Sequence, residues 1–310
     1  MLAYVVRRIF FGLIVLAGAS LITFTIAYVV PADPAVAVAG AKADPQTLAV
    51  IRRQLGLDQP LYIQYARYVD HALHGDLGRS YIRREAVTGL ILSRFPATAI
   101  LAISAIALSL LLGVAAGALA AAYRDRALDN WLLVAALTLV STPVFWLGTL
   151  LLIGGGLYLR WFPLGGFDGP LSLVLPTLTL ALGSAAYYSR ILHASLGEAL
   201  DQDYVRTAIG KGLSRRAAIL RHAMPNAILP LVTIAGLDFA GLLSGVVLTE
   251  TVFNWPGLGR LAFEAVFNLD LPLIMGTVLF SAALVVAANL LVDLLYAWLD
   301  PRIELGAGRN

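Results

Sequence analysis

The sequence predicts an all-α polytopic membrane protein with six transmembrane helices and a long external loop after the first. Three observations predict it. Apolar residues make up 59% of the 310 residues and charged residues only 13%, whereas a soluble domain carries roughly a quarter charged. Apolar stretches at 9–30, 97–122, 131–157, 171–192, 227–251 and 273–299 are each long enough to cross a hydrocarbon core of about 30 Å. The third observation is how Lys and Arg divide between the connecting segments. Helices are required in the apolar stretches because backbone groups in lipid must be satisfied within the segment.

One side of the membrane receives Arg7, Arg8, Arg124, Arg126, Arg190, Arg206, Lys211, Arg215, Arg216, Arg221, Arg302 and Arg309. The short loops on the other side hold only Arg160 and Arg260. The loop 31–96 also has basic residues, but long loops count little. Both termini and the segment 203–230 are therefore expected in the cytoplasm. The net charge of +3 sits in these loops and concerns topology, not nucleic acid. The absence of cysteine removes disulfides, thiolate metal sites and cysteine nucleophiles together. Arg7-Arg8-Ile9-Phe10-Phe11 touches the pattern of a twin-arginine signal. The apolar run behind it exceeds the about 7–15 residues of a signal core, so a retained first span is expected. The organisation that follows is a first helix 1–30, an external loop 31–96 with short helices, a membrane core 97–300 containing the segment 203–230, and a cytoplasmic tail 301–310.

In the external loop, Asp44 suits an N-cap and Pro45 a first helical position, and Leu48, Ile51, Arg52 and Leu55 have helical spacing. A helix 45–55, ended by Gly56, is expected. A second, 61–73, carries an aromatic stripe of Tyr62, Tyr65 and Tyr68. It is expected to rest on the membrane or on the external mouth.

The segment 203–230 carries the most information. It is a polar, basic helix-turn-helix pattern between two long apolar spans. Asp203 is placed to cap a first helix, Gly212 suits the position after its end, and Ser214 is placed to cap a second running to Pro225. Topology alone explains the charge but not the glycine turn. Arg206-Thr207-Ala208, three residues, Gly212, nine residues and His222-Ala223-Met224-Pro225 have the spacing of the EAA loop of ABC importer permeases. Arg206 and Thr207 stand for Glu and Ala, His222 for Ile and Met224 for Leu. These departures resemble the peptide/nickel branch. Gly56-Leu57-Asp58-Gln59-Pro60-Leu61, Gly75-Asp76-Leu77-Gly78-Arg79-Ser80, Phe95-Pro96-Ala97-Thr98 (opening the second span), the run Glu250 to Arg260, Asp293-Leu294-Leu295-Tyr296 and Leu299-Asp300-Pro301-Arg302 support the same branch. The resemblance covers essentially the whole chain, and the long first loop is similar to the B-type subunit of dipeptide and oligopeptide importers.

The resemblance implies the type I ABC importer transmembrane-domain fold in a bacterial cytoplasmic (inner) membrane. It implies import of di- or oligopeptides, with nickel or another small solute as the alternative. It also implies a second, C-type permease, one or two ATP-binding subunits and an external substrate-binding protein. ATP and Mg would sit on the partners, with no cofactor on this chain. The residues agree with that division. Gly210-Lys211-Gly212 lacks the preceding glycine and following Ser or Thr of a phosphate-binding loop. The resemblance further implies a short coupling helix, about 208–217, in a cleft of the ATPase. Arg206, Thr207, Ala208, Lys211, Gly212, Arg215, His222 and Pro225 would make the contact.

For the pathway, the fifth span is the candidate. Gly236, Gly241 and Gly245 line it with small residues, either for substrate clearance or for helix packing. Gly113 and Gly117 of the second span are read as packing. Asp238 shares a face with Gly241 and Gly245. A carboxylate there costs on the order of 3 kcal/mol on insertion scales. It is expected either to attract a cationic group in the pathway or to bond a neighbouring helix. Glu250, near the external end, suits gating or loop anchoring. The run 253–260 resembles a re-entrant or lid-like loop; its GxGxxA match has no preceding strand.

Two other classes compete with this reading. An intramembrane enzyme would use Ser184, Ser189 and His193, but no GxSxG elbow occurs and spacing within one helix brings no orienting acid. An ion channel lacks a repeated acidic or filter motif. No metal site is expected: His71 and His74 are three apart but have no evident further ligands.

Overall fold

The structure is a computed structural model that describes residues 2–29, 34–40 and 43–299. The last residue of the first expected span, Val30, and the expected tail 301–310 lie outside them. In chain order the helices are α1 (Leu2–Val29), α2 (Pro34–Ala39), α3 (Pro45–Gln54), α4 (Leu61–Leu73), α5 (Val87–Ala122), α6 (Ala127–Ser141), α7 (Val144–Leu151), α8 (Pro170–Leu200), α9 (Asp203–Gly210), α10 (Arg215–Ala218), α11 (Met224–Ala227), α12 (Leu229–Leu243), α13 (Val247–Val252), α14 (Leu258–Phe267) and α15 (Leu271–Leu299). π-helical turns at Leu152–Tyr158 and Ile219–Ala223 follow α7 and α10. Extended pairing among the described residues is a single bridge, Arg79 to Ala86.

Four helices are long and apolar enough to cross a membrane: Tyr4–Ala27, Val87–Ala122, Pro170–Leu200 and Leu271–Leu294. Two bent pairs bring the number to six. The expected third span 131–157 is not one helix. Ala127–Ser141 and Val144–Tyr158 meet at 102°. Pro143 explains the break: it offers no N–H and biases Thr142 to extended backbone, observed at ψ 125°. Three consecutive glycines, Gly154 to Gly156, lie in the π-helical turn beyond it. The expected fifth span 227–251 is broken twice. It bends by 48° between Arg216–Ala227 and Leu229–Leu243. It then stops at Leu243, because Gly245 turns the chain with φ +106° before α13 begins. The second span starts at Val87 and not at 97. Pro96 lies inside α5, as membrane helices tolerate when neighbours satisfy the freed group. The fourth continues to Leu200.

The chain forms two compact units. The first comprises Met1–Thr98, Leu243–Glu250 and Pro256–Leu290. Its core joins Val87, Leu90 and Ile91 of α5 to Leu258, Leu261 and Ala265 of α14 and Leu273 of α15. The external segment is ordered by local chemistry. Asp44 accepts bonds from the Gln46 and Thr47 N–H groups, both at 2.9 Å, and so caps α3. The helix ends as Gly56 takes φ +68°. Buried Asp270 accepts from the Ser80 hydroxyl and from the Tyr81 N–H at 3.1 Å, which pins the loop ahead of α5. Along the aromatic stripe of α4, Tyr62 is exposed and Tyr65 is turned to the protein. Tyr65 docks on α1, its hydroxyl 2.9 Å from Ser20 Oγ and its ring 5.1 Å from Phe24.

The second unit comprises Ala99–Leu242, Thr251–Trp255 and Leu291–Asn310. Here α5 lies directly on α8. A Cβ on Gly113 would stand 2.7 Å from Tyr188 Cβ, and one on Gly117 would stand 2.7 Å from the Ser189 carbonyl oxygen. The small-xxx-small spacing is packing, as the sequence suggested. In the run after α13, Phe253 and Trp255 are buried, and Trp255 meets Phe167 edge-on at 4.8 Å. Such aromatics anchor the start of the loop.

Candidate functional site

The segment 203–227 folds as a basic outer face on an apolar inner one. Val205 and Ala208 of α9, Ala218 and Ile219 of the next turns, and Ala223 and Ala227 are buried. All of these except Ala208 form one cluster with Leu192 and Leu196 of α8 and Leu231 and Ala235 of α12. Burying Val205 and Ile219 is worth about 1.5–3 kcal/mol each, enough to hold the segment as a part of the membrane body. Arg206, Thr207, Lys211, Gly212, Arg216, Arg221, His222 and Pro225 lie on the exposed side. Ala208 does not. It belongs to the packed face, so its contribution is to seat α9. Arg215 opens α10, and its side chain lies outside what is described.

The turn between the helices has a defined chemistry. Gly212, at φ +93°, donates to the Ile209 carbonyl at 2.9 Å, and Leu213 N–H reaches the Ala208 carbonyl at 3.2 Å. Those two bonds make a Schellman motif, which requires the left-handed residue that glycine adopts freely. Ser214 Oγ accepts from the Ala217 N–H at 3.3 Å and starts α10. Three expectations are corrected. Asp203 is the first helical residue and Gln202 the cap, without a side-chain bond. Residues 208–217 are not one helix, because the motif spends 211–214 on the turn. Pro225 does not end the second helix. It lies inside α11, and the π-helical turn before it is where the helix accommodates a missing N–H and the ring's clash with the carbonyl four residues back. A tie that the sequence did not suggest closes the motif: Asn226 Nδ2 donates to the Tyr204 hydroxyl at 3.1 Å.

Asp238 has a partner. The Tyr188 hydroxyl, on a residue that is itself fully buried, donates to Asp238 Oδ2 at 2.8 Å. This answers the carboxylate's need for compensation in lipid. Tyr188 was legible in principle, since a phenol on an apolar helix needs a partner. Tyr188 also belongs to the cluster that carries α9 to α11. The exposed turn, the packed inner face and the intramembrane carboxylate are thus one contiguous network within the second unit. Gly245 does not share a helix face with Asp238, because α12 ends at Leu243. Gly236 is a packing residue: a Cβ there would stand 2.7 Å from Val292 Cγ2.

Glu250 is not on a pathway surface. It is fully buried. Thr98 donates to its Oε1 at 2.9 Å and the Arg260 N–H to its Oε2 at 2.7 Å. Thr98 in turn accepts the Leu258 N–H at 2.8 Å. Gly257 packs on the carboxylate so closely that a Cβ would overlap it. The site is the anchor that fixes the start of α14, one of the two roles that position suggested.

The enzyme alternative meets an acid the sequence did not predict: His193 Nε2 stands 3.5 Å from Asp129 Oδ1. Ser189, however, gives its hydroxyl to the Ala186 carbonyl one turn back at 2.8 Å. Asp129 is partly spent on the Asp125 N–H at 3.1 Å. The arrangement is an interhelical tie and not a triad.

Residues 113–305 match the family described as binding-protein-dependent transport system inner membrane component, and residues 1–102 match its N-terminal companion. The chain belongs to this family. It is a multi-pass inner-membrane permease of an ABC importer and not an enzyme. Membership implies ATP-binding subunits, which hydrolyse ATP, and a substrate-binding protein. This permease is 41% identical over 304 residues to the "glutathione transport system permease protein GsiC" of Escherichia coli O6:H1, covering 98% of this chain and 99% of that one. The proteins of the same name from Escherichia coli K12 and Salmonella paratyphi A are 40% and 41% identical, again over 98% and 99% of the two chains. Among solved structures, a chain of an amino acid ABC transporter crystallised with histidines superposes with TM-score 0.52 at 20% identity, over 70% of this permease and 95% of that chain. A chain of the inward-facing MetNI methionine transporter does so with TM-score 0.54 at 15%, over 68% and 96%. These two likenesses concern the fold alone, and the fold is that of ABC importer transmembrane domains.

Proposed function

We propose that this permease is the B-type half of the channel of an ATP-driven importer of short peptides, glutathione among them. A C-type permease, one or two ATP-binding subunits and an external binding protein complete the importer. The cofactors, ATP and Mg, sit on the partners, and both termini and the segment 203–230 face the cytoplasm. The observation that carries the substrate class is the 41% identity to a glutathione permease along nearly the full length of both chains. The geometry supports the way it is driven. Arg206, Thr207, Lys211, Gly212, His222 and Pro225 present one exposed face to the ATPase. Ala208 seats that face, and Arg215 adds charge from the start of α10. Movement imposed there passes through the cluster of Val205, Ile219, Leu196 and Leu231 to Tyr188, and so to Asp238. Packed cores transmit displacement because they compress little. ATP-dependent uptake by the whole importer in proteoliposomes tests this. Uptake of glutathione and dipeptides is expected; uptake of a nickel chelate without peptide uptake would contradict it.

Within that pathway, Asp238 and Gly241 are the residues assigned to substrate passage, with Glu250 and Gly245 supporting the external end. Asp238 uses Oδ2 for Tyr188 and is only half-buried, which leaves its negative charge available to a peptide amino terminus. Asp238→Asn keeps an acceptor for Tyr188 and removes the charge. The expected result is a selective loss, about tenfold, for peptides with a free amino terminus against N-acetylated ones, equivalent to about 1.4 kcal/mol. Tyr188→Phe, which keeps the charge, should retain the preference. An unchanged ratio in Asp238→Asn would contradict the assignment.

A further inference from the structure

The first unit holds a cavity of about 170 Å³ bounded by the end of α1, the turn after α3, the inner side of α4 and the start of α15. An apolar cavity of about 150 Å³ admits benzene, so this one has room for a ring-sized body and a small polar group. Phe24, Leu55, Leu77, Pro272 and Met275 supply apolar wall. The polar wall is charged and incomplete. Arg67 Nη2 donates to the Gln59 side-chain carbonyl at 3.0 Å, and no carboxylate pairs with this guanidinium among the described residues. The Tyr68 hydroxyl is buried and has no hydrogen-bond partner among the described residues. Burial, with a smaller contribution from Tyr65, pushes its pKa up to about 12, so it remains a donor at physiological pH. Asp76, the acid on this wall, is already engaged. Its Oδ1 accepts the Gly78 N–H at 2.9 Å, and its Oδ2 stands 3.9 Å from His71 Nδ1.

We propose that this cavity binds a small organic carboxylate with a compact apolar body, through Arg67 and Tyr68. A carboxylate engages both groups at once, the exposed Arg67 guanidinium at the rim and the buried Tyr68 hydroxyl. It pairs with the guanidinium through charge-assisted bonds and accepts from the phenol, which otherwise bears the cost of an unmade buried hydrogen bond. A neutral body of the same shape leaves Arg67 unpaired, and a diacyl lipid exceeds the volume. Bound there, the ligand would tie α4 to α1 and α15 and stiffen the external segment.

The probe is benzoate, with benzamide as the neutral control, added to the purified full-length permease in detergent and followed by ligand-detected NMR. Saturable benzoate binding with Kd on the order of 1 mM is expected for so few atoms. Benzamide should bind at least tenfold more weakly. Arg67→Gln should weaken benzoate at least tenfold. Tyr68→Phe should weaken it severalfold while leaving the ligand-free thermal midpoint unchanged or higher, because it deletes an unsatisfied group. A role in folding alone would lower that midpoint. Absence of saturable benzoate binding, indifference to Arg67→Gln, equal binding of benzamide, or a phospholipid that benzoate does not displace would each overturn the proposal.

Discussion

Gly212→Val should cut ATP-driven uptake at least tenfold while the membrane core stays folded. Gly212 holds φ +93° at the centre of the Schellman motif. Left-handed backbone costs an L-residue roughly 1–2 kcal/mol, and β-branched residues suffer most. Nothing in the chain lies within 4 Å of a Cβ built there. The substitution therefore creates no internal clash. It reshapes only the turn and adds bulk on the exposed face. A shift of about 1.4 kcal/mol at the docking step is already tenfold in its equilibrium. The expected loss of uptake is at least tenfold, with ATP hydrolysis by the assembled complex persisting but no longer stimulated by loaded binding protein. Gly212→Asn should recover part of the coupling, because Asn tolerates left-handed backbone. Paired transport and ATPase assays on the reconstituted importer check this. Normal stimulated uptake in Gly212→Val would remove the turn from the account.

Gly245→Ala should be strongly damaging for so small a substitution. Its φ is +106°, and an added Cβ would stand 2.6 Å from the Gly259 backbone nitrogen and 2.8 Å from the Gly259 Cα. Both obstacles are backbone, so no rotamer relieves them. Positive φ and overpacking together give a cost of about 2–4 kcal/mol. The consequence reaches Glu250, since α13 and the start of α14 move apart when Gly245 and Gly259 separate. Gly241→Ala is the contrast. Its Cβ meets nothing within 4 Å and its backbone is helical, so stability should stay within about 1 kcal/mol. Thermal unfolding of the purified variants separates them. A shared helix-packing GxxxG would make the two equal, whereas the structure makes them differ.

Much of this was legible because it rests on local chemistry. Hydropathy located the four helices long and apolar enough to cross a membrane and the two bent pairs that would bring the number to six, since lipid forces long apolar helices. The Asp44 cap, the Gly56 stop and the Gly212 turn follow from short-range rules, and each is present in the structure. What escaped detection was tertiary. Pro143 was submerged in an apolar window, so a 102° bend passed as one span. Gly245 looked like a helix-face glycine because its periodicity fits; its positive φ and the close approach of Gly259, fourteen residues away, follow no local pattern. Asp238 and Glu250 both stood out as carboxylates in apolar sequence. Their roles diverged only once Tyr188 appeared beside one, and Thr98 and the Arg260 N–H beside the other. Spacing along a chain does not reveal partners from distant helices.

Under the proposed coupling, the face around Lys211 and Gly212 receives the thrust of the ATPase. The chain has no cysteine, so Lys211→Cys introduces a single thiol on an exposed turn. Crosslinking of that thiol in the assembled importer, with and without ATP, is the most direct measurement. The expected result is a crosslink to the ATP-binding subunit whose yield changes with nucleotide, and labelling by an impermeant maleimide only from the cytoplasmic side. A transport-competent complex in which Lys211→Cys labels from outside, or crosslinks to no ATP-binding subunit in any nucleotide state, would contradict it.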